Sequence, residues 1–343
     1  MIRFVALTTM FLAGLTVPSL PVMAASFDCS KAGTPFEHAI CDSDELSAAD
    51  ERLSRTYATA AGGLSDAASG DLRSGQREWL TYAQRACTMD AEPMTSGKYG
   101  EEGVSCLVDL FKSRAQVLET SRMIQGLRFY PMSQYEALPD PENKGDAYWG
   151  VAEHELSIVQ LDGDEPFAAA FNALVRAERE TMQGGDEDVA SHASSDTSNS
   201  ISVKEVAGTG RITLDVSTYW YGHGAAHGNY TLSYLHFLTD EARFLKAEDF
   251  FTGKKWKQAL SDLTIAALER EHGENLMMDG TEYIEDTVAD PTSWDLSNPY
   301  GLVIQFQPYQ VAAYAYGAPT ATVSWDDLEP YLTEGSNSIR FGF

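Results

Sequence analysis

Apolar side chains recur every three or four residues along four segments in the first third of the chain, which predicts four amphipathic helices. The first segment begins at TPFE (34–37), a capping box that starts a short helix. The second carries a single apolar stripe made of Leu46, Ala49, Leu53, Tyr57, Ala60 and Leu64. The third and fourth repeat the pattern through Leu72, Trp79, Leu80 and Ala83, and through Leu107, Leu110, Phe111 and Leu118.

The pattern changes in the second half of the chain, where strand-like runs are interspersed irregularly with helices. Strands are predicted at 155–161, 201–206, 210–221 and 229–238, and helices at 165–182 and 256–273. Residues 184–200 are polar and of low complexity, which predicts a loop. The chain is therefore predicted to be α+β, with a small helical domain followed by an α+β domain of antiparallel sheet and packed helices.

The chain divides into four predicted parts. Residues 1–25 predict a secretory signal peptide, because an early positive charge precedes a short apolar run and a V-x-A sequence. Residues 26–122 are the helical domain, and residues 148–343 are the α+β domain. Residues 123–147 are predicted to be a linker, since YEALPDPENKGDA (135–147) holds two prolines and no periodicity.

The predicted signal peptide indicates an exported protein. Its apolar run is short and interrupted by proline, and no later segment approaches the roughly eighteen consecutive apolar residues of a membrane span. We therefore expect a soluble periplasmic or secreted protein without a membrane span, cleaved after Ala24 or Ala25.

The chain is strongly acidic, with 51 Asp and Glu residues against 24 Lys and Arg residues and a formal net charge of −27. Nucleic acid is not an expected partner, because its binding requires cations that neutralise phosphates. A basic protein is a natural partner, since complementary fields speed encounter. The alternative is that the charge serves only the solubility of an exported protein.

All four cysteines, Cys29, Cys41, Cys87 and Cys106, lie near the predicted helices, and an even number in an exported protein predicts two disulfides. The short first helix can bring Cys41 back towards Cys29. Cys87 and Cys106 stand at facing ends of two helices and would staple a hairpin. We predict these two pairs, although spacing alone allows three pairings. A zinc site is disfavoured because no C-x-x-C pair exists.

The helical domain resembles the LprI family of lysozyme inhibitors. The resemblance rests on the stretches FDCSKAGTPFEHAIC (27–41), DELSAADERLSRTYATA (44–60), QREWLTYAQRAC (76–87) and CLVDLFKSRAQVLE (106–119). It includes all four cysteines, the C-x11-C spacing and the Q-R-x-W sequence. The resemblance implies a small four-cysteine domain that acts on lysozyme.

The second half resembles the carboxy-terminal domain shared by the anti-sigma factor RsiV and the deacetylase PdaC. The stretches that carry this resemblance are YWYGHGAAHGNYTLSYLHFL (219–238), LKAEDFF (245–251) and LVIQFQPYQVAAYAYGAPTATVSWDDLEPYL (302–332). The chain departs from the family at Ala313, where proline is usual, and at D-F-F, which replaces D-L-F. The resemblance implies a non-enzymatic module, which in RsiV binds lysozyme. The deacetylase activity of PdaC is not implied, because its catalytic domain has no counterpart here.

The stretch WYGHGAAHGNY (220–230) combines two histidines with glycines and aromatics. His223 and His227 stand four apart, but the glycines disfavour a helical metal pair and no third ligand stands out. The G-x-G-x-x-G dinucleotide pattern fails at position 227, and no helix follows. The remaining interpretation is a hairpin tip, either a purely structural turn or a loop that contacts a partner.

A second candidate contact is YQVAAYAYG (309–317), whose tyrosines resemble interface anchors; the alternative is half-buried strand aromatics. We predict seven partner-binding residues from the two stretches: Tyr221, His223, His227, Tyr230, Tyr309, Tyr314 and Tyr316.

Catalytic motifs are missing: the chain has no G-x-S-x-G, no S-x-x-K followed by K-T-G, and no cysteine outside the predicted disulfides. We therefore expect no catalytic residue, no cofactor and no metal. Both resemblances lead to lysozyme, and an acidic chain suits that basic enzyme. The expected function is an exported lysozyme-binding protein that inhibits lysozyme and so protects the cell wall. The alternative is a non-inhibitory envelope-binding or sensing module for wall fragments or another protein.

Overall fold

Four α-helices form the N-terminal part of the protein, in agreement with the periodic pattern. They are α1 (Pro35–Asp42), α2 (Asp44–Ala61), α3 (Asp66–Ala86) and α4 (Glu101–Glu119). The computed structural model describes residues 25–141, 150–183, 192–278, 280 and 282–342. The predicted signal peptide lies outside these residues, except for Ala25.

The helical core is built around Trp79 of α3 and Phe111 of α4. Both side chains are 1% exposed, and their rings meet edge to face with centroids 4.9 Å apart. The predicted capping box at the start of α1 is confirmed, since the Thr34 side chain accepts from Glu37 N while the Glu37 carboxylate accepts from Thr34 N. The apolar stripes and the caps thus produce the helices that local sequence predicts.

The two disulfides join the predicted pairs, Cys29 with Cys41 and Cys87 with Cys106. The first holds a 3₁₀ turn (Cys29–Lys31) against α1. The second joins the residue after α3 to the first turns of α4, across a sequence separation of 19 residues. The prediction of a stapled helical domain is therefore confirmed.

Replacing Cys87 and Cys106 together by alanine is expected to lower the free energy of unfolding by about 3 kcal/mol, because the open chain gains conformational entropy. Denaturant unfolding followed by tryptophan fluorescence measures this loss. The corresponding double variant of Cys29 and Cys41 is the control, with a slightly smaller loss because its separation is 12 residues. A loss below about 1 kcal/mol for the first pair would contradict the chain-entropy argument.

A seven-stranded sheet follows, in which the strands lie side by side in chain order. They are β1 (Arg122–Ile124), β2 (Leu127–Pro139), β3 (Val151–Leu161), β4 (Ser195–Ala207), β5 (Arg211–Gly222), β6 (Asn229–Leu238) and β7 (Arg243–Phe244). Neighbours are antiparallel except β3 and β4, which run parallel because helix α5 (Ala168–Gln183) connects them as a crossover. The α+β class is confirmed, with one parallel pair in a sheet expected to be antiparallel.

Part of the predicted linker, 123–147, forms strands, since it contains all of β2 and all of β1 except Arg122. Residues 142–149 lie outside the described part of the chain. The prolines of β2 do not break the ladder. Backbone N–H groups alternate between the two edges of a strand, and Tyr135 N points away from β3, towards Glu78. Pro131 and Pro139 are each four residues from Tyr135, so the N–H group that each proline lacks would also point away from β3 and is not needed for pairing. The linker was predicted from Pro139, Pro141 and the lack of periodicity, but strand β2 continues as far as Pro139.

The predicted loop at 184–200 is also shorter than expected. Strand β4 begins at Ser195, and its first residues pair with β5 through Thr197 and Trp220. Residues 184–191 lie outside the described part of the chain. One face of this strand borders solvent and therefore carries polar residues. That polar composition is why the sequence suggested a loop here.

The C-terminal part packs a second, three-stranded sheet against helices. Its strands are β8 (Trp294–Asp295), β9 (Gly301–Gln305) and β10 (Thr320–Ser324), in the order β10-β9-β8. The helices are α6 (Ala247–Phe250), α7 (Trp256–His272), α8 (Glu282–Ala289), α9 (Trp325–Leu328) and α10 (Ser336–Phe341). Aromatic rings dominate the core between them, including Phe250, Phe251, Trp256 and Trp294.

The helical part packs directly on the large sheet. Helix α3 runs along β2 and covers its outer edge, where the Glu78 carboxylate accepts from Tyr135 N at 3.3 Å. At the start of the same helix, the Ser65 backbone and hydroxyl both donate to the Asp162 carboxylate. Covering an open strand edge protects it from pairing with other chains. The two halves therefore share an interface where the sequence suggested a linker.

A buried polar network lies at this interface. The Arg114 guanidinium of α4 is 2% exposed and donates to Ser133 Oγ and to the Tyr135 hydroxyl. Beside it, the Tyr82 hydroxyl lies 2.6 Å from Glu153 and 3.1 Å from Glu155. Burial beneath α3 raises the pKa of Glu153 to about 7 and also raises the pKa of Glu155, which Arg114 partly opposes.

Candidate functional site

Two distant loops meet in one group of rings, which we call the aromatic cluster: His227, Tyr230, Tyr309 and Tyr314. The His227 imidazole stacks on the Tyr314 ring with centroids 4.0 Å apart, and the Tyr309 hydroxyl lies 3.1 Å from His227 Nε2. Tyr230 meets Tyr314 edge to face at 6.2 Å. The turn between β5 and β6 and the segment between β9 and β10 therefore form a single surface.

Tyr309 is the most exposed member of the aromatic cluster, with 60% of its surface accessible. Its φ of 68° lies in the left-handed region, which costs a bulky residue roughly 1–2 kcal/mol. Surrounding contacts must hold this conformation, because the chain would otherwise relax it. Such strain at an exposed aromatic is typical of residues that present a side chain to a ligand or partner.

Hydrogen bonds from Gln307 fix the loop that carries Tyr309 and Tyr314. The Gln307 side chain accepts from Leu232 N at 2.9 Å and donates to Leu232 O at 2.7 Å, so it acts as one more pairing partner for β6. The Tyr314 hydroxyl donates to Gly228 O at 2.5 Å and ties the same loop to the hairpin turn. The aromatic cluster is therefore preorganised, which lowers the entropy lost on binding.

His223 lies on the opposite side of the hairpin tip, away from the aromatic cluster. Its imidazole is 5% exposed and bridges Asp140 at 2.5 Å and Asp196 at 3.0 Å. Burial opposes the charged imidazole, but hydrogen bonds to the two carboxylates raise the pKa of His223. The interaction joins the end of β2 to β4 and the turn. The imidazole offers little surface to a partner, and the predicted contact of His223 stays a prediction.

The other predicted contact residues stand apart from the aromatic cluster. The Tyr221 hydroxyl donates to Ala225 O within the turn itself. Tyr316 is 42% exposed, and its hydroxyl lies 2.9 Å from His272 Nδ1 at the end of α7. Of the seven predicted residues, the structure thus gathers four into one surface.

Sequence reasoning missed Gln307 and the interface pair Tyr82 and Glu153. Gln307 lies two positions before Tyr309. Nothing in the sequence around a single glutamine indicates that its side chain bonds the backbone of Leu232, 75 residues earlier. Glu153 lies shortly after the predicted linker (123–147), where no sequence pattern indicates a buried carboxylate. In the described part of the chain, no group of three His, Cys, Asp or Glu side chains could hold a metal ion. Nor is any described helix long and apolar enough to cross a membrane.

Two family models match the chain. Residues 28–118 match the family described as lysozyme inhibitor LprI, and residues 248–326 match the family described as a protein of unknown function, DUF3298. The segment that matches the LprI model, called the LprI domain below, spans α1 to α4, and the segment that matches the DUF3298 model contains Tyr309 and Tyr314. The resemblance to the RsiV and PdaC domain is compatible with the second match.

Solved structures of DUF3298 proteins are similar to part of this chain. A family member from Bacteroides fragilis is 19% identical, with a TM-score of 0.45, over 62% of this chain and 96% of that chain. A DUF3298 family protein from Pseudomonas aeruginosa is 14% identical, with a TM-score of 0.43, over 63% of this chain and 98% of that chain. Neither likeness adds to what the family models say. A comparison with curated proteins finds no match.

Proposed function

We propose that this protein is an exported lysozyme-binding protein that inhibits lysozyme and protects the cell wall. The observation that carries the proposal is the LprI domain at residues 28–118, whose family is described as lysozyme inhibitors. The two disulfides fit an oxidising, extracellular environment. The proposed role is to bind and block an enzyme rather than to catalyse a reaction, because the matching family is described as inhibitors.

Charge supports this choice of partner. The formal net charge of −27 creates a negative field that attracts a basic enzyme and accelerates its encounter with the protein. Lysozyme binding should therefore weaken as the salt concentration rises, since salt screens exposed charges over about 10 Å at 0.1 M.

The aromatic cluster is the proposed contact surface. Its exposed rings supply apolar area with polar ends, a combination common at the energetic centres of interfaces. An exposed tyrosine such as Tyr309 suits insertion into the sugar cleft of lysozyme. There its hydroxyl would donate a hydrogen bond to one of the two carboxylates that glycoside hydrolysis requires. Occupation of the cleft would exclude the substrate and so produce inhibition.

Replacing His227 and Tyr309 together by alanine is expected to weaken lysozyme binding by about tenfold or more, because both rings belong to the proposed contact surface. Calorimetric titration with a basic animal-type lysozyme, at low and high salt, measures the dissociation constant. The matched control is Tyr300→Ala, which removes a tyrosine that is 82% exposed outside the aromatic cluster.

The wild-type protein and the Tyr300→Ala variant should bind equally. Equal binding by the double variant would remove the aromatic cluster from the contact surface and direct attention to the LprI domain. Absence of binding by the wild-type protein would overturn the proposed function itself.

A further inference from the structure

A groove of about 1120 Å³ lies on the large sheet, between α3 of the LprI domain and the end of the sheet next to the aromatic cluster. Its floor consists of two neighbouring rows of side chains that cross five strands, β2 to β6. One row follows the register Glu136, His154, Thr197, Trp220 and Asn229. The other contains Gln134, Leu156, Asn199, Thr218 and Thr231.

The groove is open because α5 covers only part of this sheet face. Phe171 and Val175 of α5 belong to one buried cluster with Ile158 and Leu214, which lie further along the same face. The side chains beneath α5 are apolar, whereas those on the uncovered part of the same sheet face are mostly polar. Five strands at about 4.8 Å spacing give the groove a length of roughly 19 Å. Its volume is at the upper end of ordinary ligand sites, which run to roughly 1000 Å³.

Trp220 forms an aromatic platform in this floor. The indole is 37% exposed, and it occupies the space above Gly222, two residues further along the same face of β5. A Cβ at position 222 would lie 2.7 Å from the ring, so glycine is what allows the indole to take this position. An exposed ring beside neutral polar groups suits the apolar face of a sugar.

Most hydrogen-bonding groups of the floor are neutral amides and hydroxyls, and the one carboxylate of the two rows, Glu136, lies 3.2 Å from His192 Nε2. The Asn199 and Asn229 side-chain oxygens accept from Tyr219 N and Tyr230 N. Their amide nitrogens donate to no protein group within the described part of the chain, and threonines stand beside them in both rows. Amides and hydroxyls both donate and accept, which matches sugar hydroxyls and acetamido groups.

Other classes of ligand fit this floor less well. An acidic chain repels phosphates and nucleic acid. A lipid would need an apolar lining, whereas Leu156 is the aliphatic exception in the two rows. A peptide strand has little free edge to pair with here, because β3 to β5 are paired on both sides, α3 covers the outer edge of β2, and the Gln307 side chain bonds the Leu232 backbone on β6.

We infer that this groove binds an extended neutral oligosaccharide whose sugars carry acetamido groups. The sugar rings would stack on Trp220 and exchange hydrogen bonds with the Asn199 and Asn229 amides. This binding site adjoins the proposed lysozyme contact and goes beyond it, since Tyr230 is the member of the aromatic cluster that lines the groove, whereas His227, Tyr309 and Tyr314 do not.

The test is calorimetric titration of the full chain with tetra- and hexasaccharides of N-acetylglucosamine. Trp220→Ala and Asn199→Ala are each expected to weaken binding about tenfold or more. Gly222→Ala should have a similar effect by displacing the indole while all polar groups remain. Tyr300→Ala, far from the groove, should bind like the wild-type protein. Circular dichroism checks that each variant is folded.

Failure of the wild-type protein to bind either oligosaccharide at millimolar concentration would overturn the inference. So would binding that all three groove variants retain, because the sugar would then lie elsewhere. Binding of an unmodified wall peptide in place of the sugar would show that the ligand class is wrong. The lysozyme titration contains no glycan, so it measures only binding to the enzyme. This matters because a protein that binds wall glycan could protect the wall without contacting lysozyme. The two proposals can therefore fail independently.

Discussion

Arg114→Met is expected to lower the free energy of unfolding by about 3–5 kcal/mol, the loss typical when one member of a buried charged network is removed. The guanidinium donates to Gln76, Ser133 and Tyr135, at 3.0, 3.1 and 2.9 Å. Methionine keeps the apolar stem but supplies none of these donors. The positive charge that opposes the raised pKa of Glu155 would also be lost.

The matched control for this prediction is Arg52→Met. Arg52 of α2 pairs with Glu119 at 2.8 Å, but the side chains are 45% and 51% exposed. Exposed ion pairs contribute about 0–1 kcal/mol, so this variant should unfold almost like the wild-type protein. Guanidinium unfolding followed by circular dichroism compares them. Similar losses for the two variants would show that Arg114 does not hold the LprI domain on the sheet.

Glu153→Gln is expected to make the protein more stable above neutral pH. Burial raises the pKa of Glu153 from 4.5 to about 7, so the folded state keeps a proton that the unfolded chain releases. This group therefore lowers the free energy of unfolding as pH rises from about 4.5 to about 7. At about 1.4 kcal/mol per pKa unit, the loss amounts to at most about 3 kcal/mol. Glutamine stays neutral and can still accept from Tyr82.

The measurement is the difference in unfolding free energy between Glu153→Gln and the wild-type protein from pH 4 to pH 8. The difference should grow through this range and level off above pH 7. Glu155→Gln provides the contrast, because it removes the carboxylate that interacts with Arg114 and should destabilise the protein at neutral pH. A pH-independent difference for Glu153→Gln would show that folding does not raise the pKa of Glu153.

Local features of the fold were predictable because each depends on neighbours in the chain. The capping box at Thr34 and Glu37, the Trp79 stripe of α3 and the spacing of Cys29 and Cys41 involve a few turns at most. The segment from Leu127 to Pro139 was mistaken for a linker, since only the pairing of β2 with β3 shows that its prolines lack a donor on the side away from β3.

The sequence by itself determined the four N-terminal helices and the α+β class, and it predicted the disulfide pairs and the two candidate contact loops. Only the tertiary structure decided that His227 and Tyr309, 82 residues apart, meet in one cluster, and that His223 is buried between two aspartates. It also decided that residues from five strands line one groove. Periodicity and capping are properties of adjacent residues, whereas these meetings depend on strand register and on how the two halves pack.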